Sequence, residues 1–189
     1  MKFGIKIVIL FLIIITPLVF SSCYSSTSIS KEWINNDYRL DSTTKILVMS
    51  FYPDYYIEDG LIIELNKLGL KAIPSVQILG NDSWIWKEGI QINNPQLSDS
   101  SKKYIKSRGF YYLLISQEYE HPDLIFNPNG THKHFNRELI IYDLSNMQTI
   151  ANIQSETECR LKYDSWEDLG GYYSSDIVGH LVYIGLIKH

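Results

Sequence analysis

Two cysteines in 189 residues are too few for a disulfide-stapled scaffold. The chain has no excess of positive charge either. Its 17 lysines and arginines stand against 21 aspartates and glutamates, which leaves no net field to hold phosphates and excludes nucleic acid as a partner. No Gly-x-Ser-x-Gly elbow is present. After the first strand-like run of the folded part, Tyr52-Pro53-Asp54-Tyr55 stands where a phosphate-binding loop would need small residues. No internal repeat occurs. No apolar run reaches the roughly 20 residues that span a bilayer. Aromatic content of 13% and hydrophobic content of 45% exclude disorder over most of the length. One α/β domain fits the length.

The N-terminus reads as an address. Lys2 and Lys6 form a short positive region, and Ile7 to Phe20 is almost wholly apolar. That length suits a secretory signal better than a membrane span. Phe20-Ser21-Ser22-Cys23 follows at once. Two small residues before a cysteine at this place resemble the lipobox of a bacterial lipoprotein, with Phe20 departing from the usual aliphatic residue. The resemblance implies cleavage after residue 22 and a lipid on Cys23, which becomes the new N-terminus. Two or three acyl chains make a stable anchor, where one chain holds only marginally. Loss of residues 1–22 removes two lysines and takes the formal charge from −4 to −6. No aspartate follows Cys23 and no acidic run follows it, so the expected address is the outer membrane, facing the periplasm. Residues 23–42 read as the lipidated N-terminus and a flexible tether, since Tyr24 to Ser30 is polar, small and uncharged.

Residues 43–189 read as one globular domain. Lys45 to Phe51 is a buried strand, and Ile57, Leu61, Leu65 and Leu68 mark one helix face ending at Gly69. Leu70 to Pro74 is a second strand, which completes a crossover unit. Asn94-Pro95 opens a second helix running to Arg108, with Lys102, Lys103 and Lys106 on its solvated face. Phe110 to Glu118 is a third strand, and the stretch to His134, with its Asn-Pro and Asn-Gly pairs, is a long turn-rich connection. Phe135 to Leu144 and Met147 to Leu161 are two more strands. Helical spacing returns from Ser165 to Ile187, with Gly170-Gly171 weakening its first half. The expected fold is a mixed sheet of about five strands in the order β-α-β-α-β-β-β-α.

Residues 45–75 resemble the opening of small envelope lipoproteins related to the curli secretion lipoprotein and the N-terminal domain of the Tol–Pal translocation protein. FNRELIIYDLSNMQTIANI, residues 135–153, resembles their hairpin. The resemblance implies binding to other envelope proteins and carries over no catalytic residue.

Candidate sites are few. Trp84 and Trp86 share a face if extended, in a loop of otherwise polar residues, and form the leading contact candidate. His132 and His134 are weak metal candidates, with no third ligand at fixed spacing. Glu118 and Glu120, or Asp164, Glu167 and Asp168, could pair as carboxylates, but the latter group is more simply the acidic first turn of a helix. Cys159 in a strand reads as a small hydrophobe. The tyrosine pairs 55–56, 111–112 and 172–173 should each place one ring inward and one outward. The expectation is a non-catalytic interaction or assembly component held to the membrane by its lipid, with an envelope protein as partner, no metal and no cofactor beyond that lipid. A binder of a small molecule, metal or glycan through loops 80–95 and 121–134 is the alternative, with an envelope hydrolase behind it.

Overall fold

A computed structural model describes residues 26–50, 55–79, 90–91, 94–120, 124–127, 130–146, 148–160 and 166–188. In chain order these form β1 (Ser26–Ile34), β2 (Lys45–Ser50), α1 (Tyr55–Lys67), β3 (Lys71–Pro74), α2 (Val76–Leu79), β4 (Ile90–Gln91) and β5 (Asn94–Leu97). Then come α3 (Asp99–Ser107), β6 (Tyr112–Glu120), β7 (Leu124–Asn127), β8 (Gly130–Asp143), β9 (Gln148–Arg160) and α4 (Trp166–Tyr183). One mixed sheet runs β1-β9-β8-β6-β2-β3, with β7 also paired to β8, and β4 and β5 pair separately. β2 lies parallel to both β3 and β6, and the other pairings are antiparallel. The fold is a single α/β domain.

β2 is apolar almost throughout because it is covered on both faces, as parallel strands generally are. Ile46 and Val48 enter the core between the sheet and helices α1 and α4. Leu47 and Met49 enter the second core, with Ile105 of α3. α3 is capped by Ser98, whose hydroxyl accepts from the Ser101 backbone N–H at 3.3 Å. It ends before Gly109, at φ +88°. Two glycines let α1 and α4 meet backbone to backbone. A Cβ on Gly60 would lie 2.6 Å from Ser174 Oγ and 2.8 Å from the Gly170 carbonyl oxygen. One on Gly170 would lie 2.6 Å from the Tyr56 carbonyl oxygen. The Gly170-Gly171 pair stands inside a continuous helix, where Gly170 is what permits the close approach.

Five further expectations differ from the structure. Ser26–Ile34, within the expected tether, is an edge strand paired along its length with β9. Residues 124–127 and 130–133 are not an irregular connection but the antiparallel pair of β7 and the start of β8. The second helix starts at Asp99, and Asn94–Leu97 belongs to a strand. Lys102 is 9% exposed and not on the solvated face; its Nζ lies 5.1 Å from the centre of the Tyr142 ring. With β1 and β7, the main sheet has seven strands instead of about five. The 172–173 pair does divide inward and outward, with Tyr173 1% exposed and Tyr172 41%, whereas the Tyr55 and Tyr56 rings lie side by side, their centres 3.7 Å apart.

Glycine 60 and glycine 170 should each tolerate alanine poorly. Overpacking of this kind costs about 1–3 kcal/mol. Gly171→Ala, with nothing within 4 Å of the added carbon, should instead stabilise by about 0.5–1 kcal/mol through helix propensity. Urea unfolding of the three variants checks both the sign and the contrast.

Candidate functional site

The two ends of the sheet differ in chemistry. β2 and β6 finish at the same end, where Ser50 pairs with Ser116. The strand order also reverses there: β2 leads through α1 to β3 on one side, while β6 lies on the other. Open α/β sheets tend to bind ligands at such a switch point. In this chain the position holds a buried polar layer.

Glu58, in the first turn of α1, reaches back to β2. Its Oε2 accepts from the Ser50 backbone N–H at 2.9 Å and from the Ser75 hydroxyl at 3.5 Å. Burial raises its pKa above the ordinary 4.5, and neighbouring Asp59 adds to that; the Ser50 and Ser75 hydrogen bonds oppose it. The Ser50 hydroxyl oxygen is itself buried with no hydrogen-bond partner among the described residues. Further along the layer, Arg137 is 1% exposed. Its Nε donates to Ser116 Oγ at 3.3 Å, and its guanidinium lies 5.5 Å from the Tyr173 ring centre. Across the β6–β8 ladder the residue opposite Arg137 is Glu118. The polar groups thus tie β2, β6, β8, α1 and α4 together. Glu58 joins the end of β2 to the helix that follows it, which is a structural use of a carboxyl group.

A cavity of about 510 Å³ lies at the other end, where β2 and β6 begin, lined in part by Arg39, Asp41, Lys45, Tyr111, Tyr112 and Asp143. Asp143 is 5% exposed and accepts from the Ser145 backbone N–H at 2.7 Å. The Tyr112 hydroxyl is pushed up by burial first, then by the charges of Asp143, Tyr38 and Asp41. The Thr43 hydroxyl and backbone N–H hold the Asp41 carboxyl below its usual range. Sequence reading missed this cavity. Its residues come from three connections and the strand ends beside them and carry no motif.

Of the sequence candidates, Cys23, Trp84, Trp86 and Asp164 lie outside the described residues. His132 and His134 fall in β8, opposite Arg160 and Glu158 of β9. Cys159 falls in β9, opposite Lys133. Asp168 stands in the first turn of α4 and Glu118 near the end of β6. Among the described residues no three His, Cys, Asp or Glu side chains gather as a metal site. No described helix is long and apolar enough to cross a membrane.

No family model matches the sequence, and no curated protein matches it. Solved structures do match. PelC from Paraburkholderia phytofirmans, solved as a dodecamer, superposes with a TM-score of 0.52 at 9% identity, covering 82% of this chain and 96% of its own. A point variant of that PelC, also a dodecamer, gives a TM-score of 0.53 at 12% identity, covering 84% and 98%. Lipoprotein GNA1162 from Neisseria meningitidis gives 0.44 at 15% identity, covering 75% and 99%. The chain shares the overall fold of PelC.

Glu58 makes stability depend on pH. Its folded-state pKa is raised, so the folded protein binds that proton more tightly than the unfolded chain does. The resulting stabilisation is full below the unfolded carboxylate value and is lost as pH rises through the folded value. Glu58→Gln keeps an acceptor for Ser50 and removes the charge. Its melting temperature should equal or exceed that of the parent at pH 7, with the difference shrinking toward pH 4. A variant less stable at pH 7 than at pH 4, relative to the parent, contradicts this.

Proposed function

We propose that the chain is a lipid-anchored lipoprotein of the bacterial envelope, set in the outer membrane and facing the periplasm. There it serves as a protein-interaction or assembly component, not as an enzyme. The observation that carries this reading is the leader: a basic start, an apolar run to Phe20, and Ser21-Ser22-Cys23 directly after it. The domain behind the leader has a fold also found in PelC, which assembles as a dodecamer. In this reading, copies held side by side by their lipids meet at high effective concentration, which favours assembly with themselves or with a membrane partner. The use of Glu58 in joining β2 to α1 also agrees with a binding role.

The test is a Cys23→Ala chain expressed beside the parent in a diderm bacterium. The parent should fractionate with membranes and, after mild crosslinking, run as multiples of itself or with a reproducible partner. The variant should accumulate as an unprocessed or soluble form. Membrane retention at unchanged size would sink the lipid anchor, and a parent that never crosslinks would sink the assembly role.

A further inference from the structure

The tether is short, and this decides which way the domain faces. The described structure begins at Ser26, three residues after Cys23. Three extended residues reach about 10 Å. Ser26 pairs with Glu158, near the end of β9. That is the sheet end where β2 and β6 finish, and where β8 begins.

The β8 strand extends beyond Ser26. His134 lies opposite Glu158, so Gly130 stands four residues further out, about 13 Å at 3.3 Å per residue. β7 pairs with this projecting part and carries Leu124-Ile125-Phe126. The overhang is thus about as long as the tether. The other end of β1, at Ile34, is eight residues from Ser26, about 26 Å away, well beyond the tether's reach. After processing the formal charge is −6, so the anchor and not charge attraction to lipid sets the orientation.

We propose that the anchored domain stands with the finishing ends of β2 and β6 toward the bilayer. The paired strands β7 and β8 then lie nearest the lipid surface, and the end bearing the 510 Å³ cavity points away from it, open to soluble partners. This inference rests on lipidation of Cys23.

Two tyrosines of similar exposure test it from opposite ends: Tyr55 at 55%, at the start of α1, and Tyr111 at 51%, beside the cavity. The full lipidated chain, in a Cys159→Ser background, is labelled with a polarity-sensitive dye at Tyr55→Cys or at Tyr111→Cys. It is then reconstituted in phosphatidylcholine vesicles containing nitroxide-labelled lipid. Quenching should be several-fold greater at position 55. Tyr172→Cys, on α4, is a second site for the near end should the first variant misfold by circular dichroism. Equal quenching at the two ends, as for a domain lying flat, overturns the orientation, and so does the reverse ranking. Mass measurement of the N-terminal peptide separates the two ideas. An unmodified Cys23 overturns the lipoprotein reading and this one together, whereas a lipidated Cys23 with equal quenching overturns the orientation alone.

Discussion

The architecture depends on one contact, the backbone-to-backbone crossing of α1 and α4 at Gly60 and Gly170. With any side chain at these positions the helices would have to move apart. The core beneath them would then open, because Leu61 and Leu65 of α1 and Ile177 and Leu181 of α4 fill it together. Interiors packed at crystal-like density do not absorb such a gap without loss. α4 in turn secures the rest of the chain. His180 Nε2 meets Glu32 Oε2 of β1 at 2.5 Å. The residues after α4 clamp the connection into β2: the Leu40 backbone N–H donates to Leu186 at 2.8 Å, and Lys188 donates to Leu40 at 2.9 Å.

The same helix pair covers two chemically different halves of the sheet. Above Ile46, Val48 and Leu114 the contact is apolar. Toward the finishing ends of the strands it becomes Ser50, Ser116, Arg137, Ser155 and Thr157, all buried. A buried arginine is costly unless its donors are met, and removing one partner is worse than replacing the whole group with apolar residues. Arg137 has Ser116 and the Tyr173 ring about it and Glu118 across the ladder. These contacts require β6, β8 and α4 to keep one register, a specificity that a wholly apolar layer would not impose.

Much of this was legible in the chain. β2 is a continuous apolar run and α1 shows its stripe at spacings of four, four and three, so both could be placed without tertiary information. The edge strand β1 could not. Its inward residues are Thr27, Ile29, Glu32 and Ile34, and the irregularity between Ile29 and Lys31 breaks the alternation that would have shown it. The Asn-Pro and Asn-Gly pairs near residues 127–130 carry turn chemistry in the sequence. They mark the boundary between β7 and β8, and not an irregular connection, because the flanking strands lack clean alternation. Gly170 has the opposite history. Helix propensity treats it as a weakness, and only the neighbouring helix reveals its use. The cavity near Asp143 had no sequence signal, since its residues meet only after folding.

The sheet edges limit how the domain can assemble. An exposed strand invites pairing with another chain, and natural proteins blunt such edges with charge, bulges, brevity or proline. Here β1 carries Lys31 and Glu32 beside its irregularity, while β3 is four residues long and ends in Pro74. Both edges are therefore poor templates for adding a strand. Side chains on the faces of the molecule are better placed than these two edges to meet another chain. The large exposed apolar groups there include Trp33, Tyr111 and Tyr183. Trp33 stands beside Lys31, Thr149, Asn152 and Gln154 on the outer face of β1 and β9, a part of the sheet that α3 leaves open. An interface built on that face would join an aromatic anchor to a polar surround, the arrangement in which a few residues carry most of the binding energy.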